Sequence, residues 1–228
     1  MNNEVLVMQI VGFKYIMNGI ISMNTLSEII HARRFNLCVS LLLASIFGFF
    51  AYAHLVKFLE TRELSLLLII ISETLATAFF IFRSDPKTVS TIPSDWVVAI
   101  MGTFAPLLLR PTSYGVLPQA ELLIVLGTML QIAGLISLNR SFALVAAKRE
   151  IKTTWMYRVV RHPLYASYFL ILGGYVLVHT TATNLIIYMI TMTFLCIRAF
   201  REENHLSLDP VYRNYMLDVR YRVIPCVF

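Results

Sequence analysis

The fold is decided by one continuous stretch, LYASYFLILGGYVLVHTTATNLIIYMITMTFLCIRAF, which runs from Leu164 to Phe200. It contains two apolar segments, Leu164–Val178 and Ala182–Phe200, with His179-Thr180-Thr181 between them. A linker this short joins antiparallel neighbours, so the stretch predicts a tight helical hairpin. The outer ends of both segments then emerge on the same side of the molecule.

Composition indicates that the hairpin lies in a membrane. Of the 228 residues, 58% are hydrophobic and only 14% are charged, whereas a soluble domain has roughly 25% charged residues. The mean hydropathy of +0.72 points the same way. The net charge of +6 does not indicate a nucleic-acid partner, because the basic residues lie in short loops between apolar segments, where membrane topology explains them.

Four more apolar segments precede the hairpin, and a spanning helix needs about 20 apolar residues. They are Phe35–Val56, Leu64–Phe82, Trp96–Leu109 and Leu122–Leu138. The last of them contains the small residues Gly127, Ala133 and Gly134, which favour close helix packing. The chain is therefore predicted to be an all-α, polytopic transmembrane bundle of about six segments.

The distribution of positive charge supports an even number of crossings. With six crossings, sixteen Lys and Arg residues fall on one side and three, Lys57, Arg62 and Arg110, fall on the other. Cytoplasmic loops carry the excess of Lys and Arg. Both termini and both outer ends of the hairpin are therefore predicted to face the cytoplasm.

Three regions are predicted along the chain. Residues 1–30 form an N-terminal extension, 31–138 hold the first four transmembrane helices, and 139–228 hold the hairpin with its flanking loop and tail. Within the extension, Val5–Ile21 is either an interfacial helix or the product of start-codon choice, since Met23 would begin a conventional short lead.

The first outer end of the hairpin carries Arg161-His162-Pro163-Leu164-Tyr165. Pro163 is suited to the first position of a helix, which places His162 at the helix start, where free backbone N–H groups attract an anion. The guanidinium of Arg161 can grip a carboxylate with two parallel hydrogen bonds. This end is therefore predicted to bind a carboxylate.

The second outer end carries Arg201-Glu202-Glu203. Acidic residues near a helix C-terminus are mildly unfavourable without a cationic partner. That partner is Arg161, Arg198 or the ammonium of a ligand, and an amino acid moiety offers both a carboxylate and an ammonium. Tyrosines gather around both ends and suit either a bound cation or an interfacial belt; they are Tyr157, Tyr165, Tyr168, Tyr212 and Tyr215.

Other chemistry has little support in the sequence. The five histidines lack zinc spacing, and neither a dinucleotide-binding glycine motif nor a Gly-x-Ser-x-Gly motif is present, so no metal is predicted. Cys38, Cys196 and Cys226 form no disulfide framework. Glu73, in the middle of Leu64–Phe82, is either a functional intramembrane carboxyl or, as we favour, a structural one hydrogen-bonded to a neighbouring helix.

The motifs together resemble a known family. Tyr157-Arg158-x-x-Arg161-His162-Pro163-x-Tyr165, then Arg201-Glu202-Glu203-x-x-Leu206, Asp209-Pro210-x-Tyr212-x-x-Tyr215 and Ile224-Pro225 are similar to the isoprenylcysteine carboxyl methyltransferases. These are grouped with the phospholipid methyltransferases as integral membrane enzymes. The resemblance is densest over Asn139–Phe228, and Pro86–Pro111 and the ending Val219-Arg220-Tyr221-Arg222 resemble bacterial members.

The resemblance implies a cytoplasmic site for S-adenosylmethionine between the loop before the hairpin and the C-terminal tail. It assigns the cofactor to Tyr157, Arg161, His162, Pro163, Tyr165, Glu202, Glu203 and Tyr212, with Arg161 and Glu203 also in catalytic roles. One departure concerns the loop, because many relatives have Gly at the position of Trp155.

The function expected from this reasoning is methyl transfer to a lipid-like or hydrophobic acceptor, in a bacterial inner membrane rather than the endoplasmic reticulum. Carboxylate O-methylation is favoured over amine N-methylation, since a carboxylate is already nucleophilic and needs no general base. Two alternatives are a small membrane transporter and a catalytically inactive membrane scaffold of the same fold.

Overall fold

The structure is a computed structural model that describes residues 33–62, 64–84, 88–90, 92–113, 115–141, 147–148 and 151–227. The predicted N-terminal extension, 1–30, lies outside these residues. Within them, helices dominate: α1 (Arg33–Thr61), α2 (Leu64–Phe82), α3 (Pro93–Phe104), α4 (Glu121–Leu138), α5 (Pro163–Val178), α6 (Ala182–Leu206) and α7 (Pro210–Asp218). Short 3-10 turns cover Ala105–Leu108, Pro118–Ala120, Asn139–Ser141 and Trp155–Arg158, and the strands β1 (Thr88–Val89) and β2 (Ala147–Lys148) pair antiparallel.

The all-helical prediction is confirmed, and each of the six apolar segments lies on a helix, the third being completed by a 3-10 turn. Within the part of the chain that the structure describes, three helical stretches can cross a membrane by length and composition: Arg33–Glu60, Pro118–Leu138 and Ala182–Leu206. The other apolar helices are shorter, at Leu66–Phe82, Pro93–Leu108 and Pro163–Val178. These helices indicate a membrane protein, while the count of six crossings and the cytoplasmic orientation stay predictions.

The hairpin forms as predicted, with α5 and α6 separated by three residues, His179–Thr181. Thr181 caps α6 by accepting a hydrogen bond from the backbone N–H of Asn184. However, α5 packs mainly along α4 and α6 mainly along α3, and both contacts are more extensive than the contact between α5 and α6. On the other flank, α1 packs along α2, which in turn packs against α4.

Glycines bring α4 and α5 into close contact, as the small residues of α4 predicted. A Cβ atom at Gly127 would lie 2.7 Å from Cγ1 of Ile171, and one at Gly134 would lie 2.9 Å from Cδ2 of Leu164. Any side chain at these positions would push the helices apart. This packing fixes the first turn of α5, where Arg161-His162-Pro163 joins the helix.

The end of the hairpin that carries His179–Thr181, which we call the turn end, is closed by the loop after α3. The Asn184 side chain is fully buried, and its amide bonds the backbone of Arg110 (N–H at 3.1 Å, C=O at 2.8 Å) and the C=O of His179 at 2.8 Å. Thr180 accepts a hydrogen bond from the N–H of Val116 at 3.1 Å. All of these bonds end on the main chain.

Glu73 of α2 meets a partner on the neighbouring helix, as the favoured structural interpretation predicted. Its Oε2 lies 2.9 Å from Nδ1 of His54 on α1. A polar pair of this kind ties two apolar helices together, because an unpaired carboxyl in hydrocarbon is costly.

Candidate active site

The C-terminal tail runs along the start of α5. The backbone N–H of Arg161 donates to the C=O of Tyr221 at 2.9 Å, and that of His162 donates to the C=O of Arg222 at 2.7 Å. Pro163 occupies the first helical position, as predicted, with His162 as the N-cap residue. These contacts bring the loop, α5 and the tail together at what we call the site end of the hairpin.

At the centre of the site end lies Glu203, which is 4% exposed. Its Oε1 is 3.0 Å from Nε of Arg161 and 3.1 Å from Nε2 of His162, and its Oε2 accepts from Nε of Arg222 at 2.9 Å. Because α6 continues to Leu206, Glu203 lies in its last turn, and the three partners offset the unfavourable helix dipole there.

Arg161 is paired with Glu203, and its Nε lies 3.0 Å from Oε1 of that carboxylate. Its guanidinium is buried against Glu203, yet its Nε has no partner with hydrogen-bond geometry within the described residues. Buried guanidinium N–H groups normally find acceptors. The Nε of Arg161 therefore forms a close ion pair with Glu203 without the alignment of a hydrogen bond.

Glu202 has a different environment from its neighbour. Its Oε2 accepts a hydrogen bond from the hydroxyl of Tyr165 at 2.8 Å, and no ion pair is found for it within the described part of the chain. Its negative charge reaches surrounding phenols: burial raises the pKa of Tyr157 and of Tyr212 well above the usual value, and the charge of Glu202 raises both further. Glu202 therefore lies among aromatic groups, with Arg198 four residues earlier on the same face of α6.

The aromatic rings of the site end are connected to one another. The ring of Tyr165 stacks on the imidazole of His162, with centroids 5.0 Å apart and planes inclined by 13°. Tyr215 donates its hydroxyl to the C=O of Tyr157 at 2.6 Å, and its ring lies 5.6 Å from that of Tyr212. Burial raises the pKa of Tyr215 as well, so its hydroxyl stays a donor and fixes α7 against the loop before α5.

Arg198 adds a cation one helical turn before Glu202. Its guanidinium carbon lies 5.5 Å from the ring centroid of Tyr165, and its Nη1 donates to Oγ1 of Thr103 at 3.2 Å. Four residues of α-helix correspond to about 6 Å along the axis. Arg198 therefore places a positive charge deeper along α6 than the two glutamates.

The 3-10 turn before Tyr157 keeps a glycine-like backbone at Trp155. The φ angle of Trp155 is 56°, in the left-handed region that glycine adopts at little cost. The indole is 71% exposed, so it points away from the buried groups. Trp155, which stands where many resembling sequences have glycine, therefore does not cover the buried groups of the site end.

All eight predicted site residues lie at the site end. Arg161 and His162 pair with Glu203. The ring of His162 stacks on Tyr165, whose hydroxyl donates to Glu202. Tyr157 and Tyr212 are connected through Tyr215. Their roles toward a cofactor stay predictions. Sequence reasoning missed Arg222, although it lies in the ending Val219-Arg220-Tyr221-Arg222 that resembles bacterial members. It also missed the pairing of Asp95 with Arg201.

A family model described as phospholipid methyltransferase matches residues 118–213. The matched stretch is therefore similar to the phospholipid methyltransferases. The predicted resemblance is thereby confirmed, and no curated protein matches the chain. The matched residues begin at the 3-10 turn before α4 and end within α7, so they contain both outer ends of the hairpin. This similarity, together with the apolar helices, supports a membrane methyltransferase.

Proposed function

We propose that this protein is an integral membrane methyltransferase that uses S-adenosylmethionine to methylate a lipid-like or hydrophobic acceptor. The observation that carries the proposal is that a carboxylate among tyrosines, Glu202, and a buried guanidinium, Arg161, lie at the same end of the hairpin. An amino acid moiety bearing a sulfonium has two positive groups and one carboxylate. The two halves of the site end match these charges.

The residues present fit the cofactor in a specific way. Glu202 would hold the ammonium, and Arg161 would hold the carboxylate beside its ion pair with Glu203. Glu203 already has three partners, so its task is to fix Arg161 and His162 in place. Tyr157 and Tyr212 supply aromatic faces, which attract a desolvated cation.

S-adenosylmethionine would supply a methyl group on a positively charged sulfur, and an acceptor atom would bond to the methyl carbon in line as the carbon–sulfur bond breaks and the neutral thioether leaves. Positioning and exclusion of water are then the main contributions of the protein. The burial of Arg161, His162, Tyr165 and Glu203 provides that exclusion. Arg198 supports a carboxylate acceptor over an amine, because its guanidinium would attract an anion and repel an ammonium.

The direction of approach follows from the same proposal. We place the site end at the cytoplasmic face of a bacterial inner membrane, with both termini in the cytoplasm. The cofactor then enters from water and the acceptor from the lipid between the helices. The methyl acceptor would be a membrane lipid or another hydrophobic small molecule.

Cofactor binding is the first test. Purified protein in lipid nanodiscs is titrated with S-adenosylmethionine by calorimetry, alongside Glu202→Gln and the matched control Glu60→Gln. Glu60 is a good control, because it forms an exposed pair with Lys57 at 3.5 Å. We expect Glu202→Gln to weaken binding by at least roughly tenfold, since a charge-assisted contact is worth about 1.5–3 kcal/mol, and Glu60→Gln to bind normally. A folded wild-type protein that does not bind the cofactor would refute the proposal.

Methyl transfer is the second test. The protein is incubated with methyl-labelled cofactor and a membrane lipid extract, and the labelled product is treated with alkali. A methyl ester releases labelled methanol, whereas an N-methyl group resists. Alkali-stable label would overturn the carboxylate assignment, and cofactor binding without any labelled product would identify an inactive scaffold.

A further inference from the structure

A second buried polar cluster lies where α3 begins, outside the site end. Asp95 is 8% exposed, in the first turn of α3. Its Oδ1 accepts from Nη1 of Arg201 at 2.7 Å, and its Oδ2 accepts from the hydroxyl of Ser90. Arg201 also donates to Oγ of Ser94 at 2.6 Å. The residue that opens the Arg201-Glu202-Glu203 motif is thus held by the segment before and at the start of α3.

The same segment contacts α6 at a second point. Oγ1 of Thr88 lies 3.1 Å from Nε2 of His205. Arg201 and His205 are four residues apart and so share one face of α6. Trp96 donates its indole N–H to the C=O of Ser90 at 2.9 Å, which closes the segment on itself. Two contacts on one helix face fix both the rotation and the height of that helix end.

The rotation matters because of the residues that follow. Each step along an α-helix turns the side chain by about 100°, so Glu202 and Glu203 point away from the face that Asp95 holds. Glu203 is further secured by Arg161, His162 and Arg222. Among the described residues, the hydrogen bond found for the Glu202 side chain is the one from Tyr165. The direction of Glu202 therefore depends most on how firmly Arg201 is held.

The geometry points to Asp95 as a positioning residue, which acts through Arg201 to hold α6 at the rotation that turns Glu202 toward Tyr165. The inference rests on the proposed cofactor site. Asp95 lies before residues 118–213, the part matched by the family model. The N-terminal helices therefore take part in shaping the site, in addition to anchoring it.

The test is a double-mutant cycle read by calorimetric titration with S-adenosylmethionine, using Asp95→Asn, Arg201→Gln, the double variant and the control Glu60→Gln. Each single variant should raise Kd by roughly tenfold, as small misplacements of binding groups do, with unchanged stoichiometry. The double variant should bind the cofactor no more weakly than the weaker-binding single variant, because both substitutions remove the same contact. Arg201→Lys, which keeps the charge, should recover most of the affinity.

The outcomes separate the possibilities. A lower stoichiometry with unchanged Kd would mean that Asp95 only stabilises the fold. If the losses of affinity in the two single variants multiply in the double variant, Asp95 and Arg201 act separately. Either result overturns the inference. If the wild type fails to bind, the proposed function fails and this inference falls with it. Wild-type binding with normal Kd in Asp95→Asn refutes the positioning role alone.

A second measurement serves if Asp95→Asn does not fold. The chain has two tryptophans, so Trp155→Phe leaves Trp96 as the single emitter beside Asp95. Addition of S-adenosylmethionine should shift the emission of Trp96, because the contact at Asp95 and the site at Glu202 are coupled through α6. Unchanged Trp96 emission at saturating cofactor would contradict the coupling.

Discussion

The two ends of the α5–α6 hairpin are both rich in buried polar groups, yet they use them differently. At the turn end, the side chains of Asn184 and Thr180 bond main-chain groups of the loop after α3. At the site end, charged side chains bond one another: Glu203 meets Arg161 and Arg222, while Glu202 accepts a hydrogen bond from Tyr165.

This difference separates buried polar groups that stabilise the fold from those that are candidates for binding a ligand. A buried amide that satisfies backbone groups removes a penalty the fold would otherwise carry and leaves no donor for a ligand. A buried cluster of charged side chains instead carries a desolvation cost that its ion pairs offset only in part. At the site end, Arg161, His162 and Glu203 form such a cluster.

The strongest perturbation of the site end is Glu203→Gln. It leaves the buried Arg161 and the partly buried Arg222 without their counter-charge. Removing one partner of a buried pair costs about 3–5 kcal/mol, so the free energy of unfolding should fall by that amount in a detergent denaturation series. Glu60→Gln, at an exposed pair, should change it by less than about 1 kcal/mol. Equal stability of both variants would show that Glu203 is not the anchor of the site end.

At the turn end, Asn184→Ala removes three hydrogen bonds to main-chain groups and should lower the free energy of unfolding by about 2–3 kcal/mol, within the range for leaving buried groups unsatisfied. The Kd for S-adenosylmethionine should stay unchanged in the folded fraction. Thr193→Ala is the matched control, because Thr193 lies on the same helix and bonds only the C=O of Met189 at an exposed position. A changed Kd in Asn184→Ala would break the separation between the two ends.

Much of this contrast was predictable from the sequence. The short His179–Thr181 linker predicted the hairpin, Pro163 predicted where α5 begins, and the two together predicted that Arg161 and His162 would approach Glu203. These predictions rest on local rules, since a turn length and a helix start need only a few neighbouring residues.

The remainder depended on contacts between distant parts of the chain. Arg222 reaches Glu203 because the tail bonds the backbone at Arg161 and His162, and Asp95 finds Arg201 from the other half of the chain. The choice of α4 as the main partner of α5 was equally hidden. Because α5 is apolar on all sides, its sequence pattern does not identify a packing face.

The middle of α5 offers a comparison between adjacent glycines. A Cβ at Gly174 would lie 2.9 Å from the C=O of Ala120, whereas one at Gly173 would meet nothing closer than the Tyr188 hydroxyl at 3.5 Å. Gly174→Ala should therefore cost about 1–3 kcal/mol through overpacking, and Gly173→Ala should be neutral or slightly stabilising. Thermal unfolding of the two variants measures the difference. Equal melting temperatures would mean that α4 does not hold the helix joining the two ends.

The smallest expected effect concerns Trp155, at the margin of the site end. Its left-handed backbone costs a bulky residue about 1–2 kcal/mol, while its indole is too exposed to repay much of that by packing. Part of the relief in Trp155→Gly is lost to the greater freedom of glycine in the unfolded chain, so we expect a net stabilisation of about 0.5 kcal/mol. Cofactor affinity should not change, because the side chain points away from Tyr157. A destabilised Trp155→Gly would instead mean that the indole makes contacts of its own, and that the site end extends further over this loop than the ion pairs around Glu203 indicate.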